Sequence, residues 1–151
     1  MQTSKQNKYN RLKKQIEELF TKCENTEARM ATLIAVLHHK IDYFFWTGFY
    51  LLNQDRLIVK MYQGPAACME LKKDTGVCWA CINKRKSIIV PDVHDFPGHI
   101  TCDSRSKSEI VLPFFDQNGT LLGVLDIDSD KINAFDSVDA ENLEAILKLV
   151  F

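Results

Sequence analysis

The sequence has 151 residues, a formal charge of −1 from 19 Lys and Arg against 20 Asp and Glu, and 46% hydrophobic residues. A chain of this length buries roughly 70% of the surface that its unfolded form exposes. We therefore predict a single domain over residues 1–151, with residues 1–24 as an N-terminal helical extension. The near-neutral charge lacks the basic excess of nucleic-acid-binding proteins, so we expect no nucleic-acid partner.

The N-terminal segment argues against export. Residues 1–14 are polar and rich in lysine, with none of the apolar stretch that a signal peptide needs. The most apolar segment, residues 43–52, is about half as long as the ~20 residues of a membrane-spanning helix. We therefore expect a cytoplasmic protein without a membrane partner.

Apolar residues spaced three and four apart predict helices near both ends of the chain. The first covers residues 8–23 and places Cys23 on its apolar face, in the core. A second helix follows, for which Asn25 or Thr26 can act as the N-cap. Asp136 is the expected N-cap of a final helix with an apolar stripe.

Between these helices the hydrophobic period changes to two, which predicts strands. The predicted strands cover residues 43–52, 57–62, 87–90, 110–115 and 121–127. The last two flank Asn118 and Gly119, a pair that favours a tight hairpin turn. The pattern indicates an α+β fold with a mostly antiparallel sheet.

Residues 63–109 fit regular structure poorly and contain four of the five cysteines. Long irregular segments on a rigid sheet are where binding and catalytic sites are commonly built. In a reducing compartment such thiols are inert core residues, metal ligands or redox catalysts.

The spacing of Cys78, Cys81, His94 and His99 matches a Cys2His2 zinc finger. A finger needs a helix through its histidines, and Pro91 cannot lie inside that helix. We expect no metal site of this kind, although a metal-binding structural domain remains an alternative.

The same two cysteines also form a C-x-x-C pair that is typical of thioredoxin-like dithiols. Such a motif follows a buried strand, and the residues before Gly76 are too polar to form one. A short helix after Gly76 would still lower the pKa of Cys78 locally. The pattern therefore does not favour a thioredoxin fold.

Cys102 lies in a polar loop, with Arg105 and Lys107 nearby to favour its thiolate form. The alternative is a spare surface thiol. Asp126 and Asp128 lie on one face of the last strand, because side chains two residues apart point the same way. They end the strand in solvent, pair with other groups, or share a proton, as a general acid requires.

Eight short motifs resemble one family. They are FWTGFY at 45–50, GPAAC at 64–68, GVC at 76–78, IVPDVH at 89–94, FPGHI at 96–100, CDS at 102–104, SEIV at 108–111 and LDIDS at 125–129. Together they resemble the GAF-domain free methionine-(R)-sulfoxide reductases from about residue 31 to residue 147. The resemblance implies a central antiparallel sheet with helices packed mainly on one side.

The resemblance also implies roles for three thiols. Cys102 would attack the sulfoxide sulfur, release methionine and become a sulfenic acid. Cys68 would resolve that acid as a disulfide, and Cys78 would relay the disulfide to thioredoxin. Electrons would come from NADPH through thioredoxin, without a bound cofactor.

The remaining site residues are implied in the same way. Glu109, Asp126 and Asp128 would hold the substrate ammonium and protonate the departing oxygen. Trp46 and Tyr50, which share a strand face, would wall the pocket and contact the S-methyl group.

Two residues depart from the family pattern. Trp79 follows the middle cysteine where a small residue is expected, and we expect its indole to narrow or cover the pocket. Cys81 adds a fourth thiol for disulfide exchange. The alternative function is a non-catalytic GAF module that senses redox state or binds a small ligand. Pairing of the N-terminal helices would give a homodimer.

Overall fold

The computed structural model describes residues 3–99 and 102–151. Ile100 of the FPGHI motif and Thr101 lie outside the described residues, as do the first two residues of the chain. The helices are α1 Ser4–Phe20, α2 Thr26–Lys40, α3 Gly76–Lys84 and α4 Ser137–Leu147. The strands are β1 Trp46–Asn53, β2 Arg56–Gln63, β3 Glu70–Leu71, β4 Ile88–Val90, β5 Ser108–Phe115 and β6 Leu121–Ser129.

The six strands form one sheet in the order β3-β2-β1-β6-β5-β4, and all neighbours are antiparallel. Both predicted hairpins are present, β1 with β2 and β5 with β6. Gly119 takes a positive φ of 81° in the second hairpin turn, a conformation that glycine adopts without steric cost. The predicted α+β class with an antiparallel sheet is confirmed.

The two faces of the sheet are covered unequally. Helices α2 and α4 pack on the face that presents apolar side chains such as Phe49, Ile110, Leu125 and Ile127, and α1 packs against these two helices. Helix α3 packs on the opposite face, together with the long connections between strands. Helices therefore lie mainly on one side, and α3 leaves part of the second face for a pocket.

Helix ends follow local capping residues. Asn25 caps α2 by accepting a hydrogen bond from the Ala28 amide, and Asp136 caps α4 in a capping box with Asp139. Helix α1 begins earlier than predicted because Thr3 caps it. It also ends at Phe20, so Cys23 lies in the connection and is exposed. Its predicted core position is wrong.

Buried Asp139 anchors α1 and the segment before β1 to α4. The hydroxyls of Tyr9 and Tyr43 donate to its carboxylate at 2.7 Å and 2.6 Å, and Lys5 Nζ approaches at 2.7 Å. The backbone amide of Asp136 also donates to the Asp139 carboxylate, at 2.9 Å. These charge-assisted bonds offset the cost of burying the carboxylate. The apolar face of α1 is consequently used within its own chain, so the predicted pairing of N-terminal helices would need other residues.

None of the helices among residues 3–99 and 102–151 is long and apolar enough to cross a membrane.

Candidate active site

Strand register brings the predicted carboxylates together on the sheet face that α3 partly covers. Asp128 pairs with Trp46 of β1 on one side and with Glu109 of β5 on the other. Asp126 lies two residues before Asp128 on the same strand, opposite Gly48. Directly paired residues of an antiparallel sheet point to the same face, so the three acids form one cluster.

Burial distinguishes this cluster from a solvated strand end. Glu109 and Asp126 are each 6% exposed, whereas Asp128 is half-buried. The interpretation of Asp126 and Asp128 as a strand end in solvent is therefore wrong for Asp126. Asp126 is buried because β6 lies at the centre of the sheet, between β1 and β5.

All three carboxyls have raised pKa values. Burial is the largest cause for each, because the charged form loses its hydration. The negative charges of Asp126 and Asp128 raise the pKa of Glu109 further, whereas a hydrogen bond from Glu109 counteracts the rise at Asp126. The direction of these effects favours a protonated Glu109 beside Asp126.

The aromatic residues predicted to line the pocket are stacked on β1. The rings of Trp46 and Tyr50 lie 5.8 Å apart, and Tyr62 stacks on the other side of Trp46 at 5.1 Å. Gly48 makes this possible, since a Cβ there would lie 2.5 Å from both the Trp46 ring and the Tyr62 Cβ. The wall therefore depends on a glycine between the two aromatic residues.

The same aromatic residues hold the loop that carries Cys68. Trp46 Nε1 donates to the Pro65 carbonyl at 3.0 Å, and the Tyr50 hydroxyl donates to the Cys68 carbonyl at 2.8 Å. The GPAAC motif is thus fixed by the pocket wall at both ends. This is the reason why a cysteine from an irregular segment has a defined position at the pocket.

Cys68 forms a disulfide with Cys102, with a Cα–Cα distance of 5.6 Å and a sequence separation of 34. This is the pair that the family resemblance implies. Cys102 is exposed, as predicted, and lines the pocket opening. The nearby Arg105 is paired with Asp103 at 2.7 Å and lies over the Phe45 ring, so its charge is already matched.

Helix α3 supplies the second pair of thiols, and both are buried. Cys78 lines the pocket, and its pKa is raised well above the usual value by burial and then by Asp126 and Glu109. The predicted local lowering of the Cys78 pKa is therefore wrong, because burial among carboxylates outweighs the helix N-terminus. Cys81 points to the sheet, where its Sγ lies 3.7 Å from the Val111 carbonyl, and burial raises its pKa to about 12.

Trp79 points away from the pocket. Its indole is 3% exposed, and Nε1 donates to the Leu71 carbonyl at 3.1 Å. The indole therefore packs between α3 and β3. The expectation that Trp79 narrows or covers the pocket is wrong, because helical geometry turns consecutive side chains about 100° apart.

The four residues of the zinc-finger spacing do not converge within the described part of the chain. His94 is exposed and contacts Asp92 at 2.8 Å, whereas Cys78 and Cys81 are buried. His99 lines the pocket instead, and burial lowers its pKa. His99 was not assigned to this site from the sequence. Its position three residues before Cys102 was the signal that could have indicated it.

The pocket thus unites most of the predicted site residues. Its opening is lined by Cys102, His99 and Asp103, and its interior by the acids, Cys78 and the aromatic wall. Cys68 is joined to this lining through its disulfide with Cys102. Further lining residues not predicted from the sequence are Phe45, Pro65, Ala66, Ala67, Leu71, Thr75, Gly76, Val77 and Ser106.

Fold and site together define a GAF domain with a cysteine pair at an acidic, aromatic-walled pocket. A family model described as GAF domain matches residues 29–150. GAF domain-containing protein A of Dictyostelium discoideum is 48% identical over 97% of this chain and 92% of that protein. The free methionine-R-sulfoxide reductase of Escherichia coli is 38% identical over 80% of this chain and 72% of that protein.

Solved structures give the same result. The free methionine-R-sulfoxide reductase from Neisseria meningitidis in complex with its substrate has a TM-score of 0.91 and 36% identity. That alignment covers 99% of this chain and 90% of the other. The chain belongs to the GAF-domain family of free methionine-R-sulfoxide reductases, which are oxidoreductases.

Proposed function

We propose that this protein reduces free methionine-(R)-sulfoxide to methionine through a cysteine sulfenic acid and a disulfide. The observation that carries the proposal is the Cys68–Cys102 disulfide at the rim of a pocket whose interior is acidic. Relatives with this activity, named above, support the choice of substrate.

In the first step the Cys102 thiolate attacks the sulfoxide sulfur. The attack forms a bond between the two sulfurs while the sulfoxide oxygen takes up a proton. The hydroxyl then moves from the substrate sulfur to the Cys102 sulfur. As it moves, the sulfur–sulfur bond and the substrate sulfur–oxygen bond break, so methionine leaves with the sulfur lone pair and Cys102 becomes a sulfenic acid. Cys102 is suited to this step because it is exposed at the pocket opening. The Cys68 thiol then attacks the sulfenic sulfur, which forms the disulfide and releases water.

The acid cluster serves the departing oxygen. Sulfoxide oxygen leaves poorly unless it gains a proton, and a carboxyl with a raised pKa still carries one near neutral pH. Glu109 holds that proton in its hydrogen bond with Asp126. We therefore propose Glu109 as the proton donor and Asp126 as the group that keeps the proton in place.

The same cluster selects a free amino acid. Asp126 and Asp128 would pair with the α-ammonium of the substrate, a group that a methionine residue within a protein lacks. Trp46 and Tyr50 would pack against the S-methyl group, since their stacked rings form the apolar wall of the pocket.

Recycling needs an external dithiol, because the proposed reaction uses no bound cofactor. Thioredoxin, supplied by a reducing compartment such as the cytoplasm, would reduce the disulfide after Cys78 has taken it over. Cys78 would act as a relay. It first transfers its proton to Asp126, its hydrogen-bond acceptor, and then attacks the disulfide, which displaces one cysteine as a thiolate.

The test is NADPH consumption in a thioredoxin and thioredoxin reductase couple. Free methionine-(R)-sulfoxide, its S epimer and a peptide-bound sulfoxide are offered in parallel, and we expect turnover of the first alone. Cys102→Ser should abolish turnover, whereas Cys23→Ser, at an exposed and unpaired thiol, should leave it unchanged. Full turnover by Cys102→Ser would refute the mechanism. Reduced protein that turns over none of the three would instead be a redox-sensing GAF module.

A further inference from the structure

One cluster in the pocket combines a thiol with two carboxylates. The Cys78 sulfur and one carboxylate oxygen each of Glu109 and Asp126 lie within 4.8 Å of one another. The three residues come from α3, β5 and β6, and all are buried. Their convergence is therefore a product of the tertiary fold.

A second observation indicates that this cluster is built to receive a positive group. Asp126 is 6% exposed, yet its Oδ1 has no hydrogen-bond partner among the described residues. An unpartnered buried carboxylate oxygen costs free energy unless a ligand satisfies it. Asp126 lines the pocket, so a ligand can reach that oxygen.

We propose that Cys78, Glu109 and Asp126 form a binding site for a thiophilic divalent cation of the Zn²⁺ class, which closes the pocket to substrate. Zinc binds thiolate at about 2.3 Å and carboxylate at about 2.0–2.2 Å, which places tetrahedral ligand atoms roughly 3.5 Å apart. The observed cluster reaches that geometry with shifts of about 1 Å or less. The Cys78 proton and the proton of Glu109 leave to solvent as the metal binds.

The donor set selects the class of cation. A thiolate is a soft ligand that Mg²⁺ and Ca²⁺ avoid, and these hard cations need six or more oxygen ligands. One sulfur and two oxygens instead suit zinc, with a water molecule in the fourth position. The site is open to the pocket on one side, as this arrangement requires.

A cation bound at this site would inhibit the enzyme. The ion would neutralise the carboxylates that bind the substrate ammonium and would remove the proton on Glu109. This consequence rests on the proposed reductase function, but cation binding itself does not. Cation binding and inhibition of the reductase can therefore be refuted independently of each other.

Cobalt(II) titration of the oxidised protein tests binding. Because the Cys68–Cys102 disulfide is closed, neither of those sulfurs can act as a thiolate ligand. We expect one equivalent of Co²⁺ to give the near-ultraviolet thiolate charge-transfer band and the visible bands of a tetrahedral site. Cys78→Ser should remove the band and weaken binding by roughly 100-fold or more. Asp126→Asn should keep the charge-transfer band but also weaken binding.

The remaining thiols supply matched controls. Cys23→Ser and Cys81→Ser should retain the band, because the first is exposed and the second faces Val111. A wild-type protein without the band, or a band that survives in Cys78→Ser or disappears in Cys23→Ser, would overturn the site.

Zinc inhibition tests the functional consequence. In the coupled assay we expect ZnCl2 to raise the KM for methionine sulfoxide while kcat stays unchanged, with reversal by a chelator. Cobalt binding without zinc inhibition would overturn the inhibitory role. Absence of turnover in metal-free wild-type protein would instead refute the reductase function and leave the cobalt result standing.

Discussion

Closing the Cys68–Cys102 disulfide should stabilise the protein measurably. The bond joins residues 34 positions apart. The chain-entropy model gives a loss of denatured-state entropy worth about 4 kcal/mol at 25 °C for a loop of that length. An unfolding entropy of about 0.3 kcal/mol/K, expected for a domain of 151 residues, converts this to a rise in Tm of about 12 °C.

The measurement compares oxidised wild type, reduced wild type and Cys68→Ser by thermal and urea denaturation. Oxidised protein should show the higher Tm and a smaller m-value, because its denatured state is more compact. Cys23→Ser should match wild type in both redox states, since Cys23 is exposed and outside the disulfide. Equal Tm values for oxidised and reduced wild type would refute the reasoning. They would mean that the disulfide raises the free energy of the native state by as much as it raises that of the denatured state.

Three further variants test the pocket. Glu109→Gln should lower kcat by about 10²–10⁴-fold if Glu109 donates the proton. The pKa of Glu109 is raised by burial, so the native state binds more protons than the unfolded state, and wild-type stability falls as pH rises above about 4.5. The Tm advantage of Glu109→Gln should therefore grow from pH 5 to pH 8, and a constant difference would contradict the raised pKa. Gly48→Ala should cost about 1–3 kcal/mol in urea unfolding and raise KM, because the added methyl meets the Trp46 ring; unchanged values would show that the stack relaxes freely. Tyr50→Phe, which removes the bond to the Cys68 carbonyl, should slow disulfide formation after a single turnover, measured by quenched thiol trapping.

Local chemistry made much of the fold predictable. Asn25 and Asp136 cap helices by accepting hydrogen bonds from backbone amides two or three residues away, so capping depends only on residues close in sequence. The hairpin turn at Gly119 and the period-two strands are local in the same sense. The motifs around Cys68 and Cys102 are likewise short enough to indicate the family from sequence.

Other local signals pointed in the wrong direction. Cys23 continues an apolar helical stripe in the sequence, but the helix ends before it and leaves it exposed. The indole of Trp79 was expected in the pocket, and helix geometry turns it to Leu71. Cys78 lies in the first turn of a helix, which lowers a thiol pKa, but burial and then its carboxylate neighbours raise the Cys78 pKa. For Cys78, burial and carboxylates far along the chain outweighed the adjacent residues.

The sequence by itself determined the elements, the family and the identity of the reactive groups, because these depend on residue type and short spacing. Only the tertiary structure decided which groups meet. The antiparallel register of β5 with β6 brings Glu109 beside Asp128 and close to Asp126, and α3 adds Cys78 to them. Burial then raises the pKa values of all four groups. Register and burial depend on packing between distant segments, which no short stretch of sequence contains.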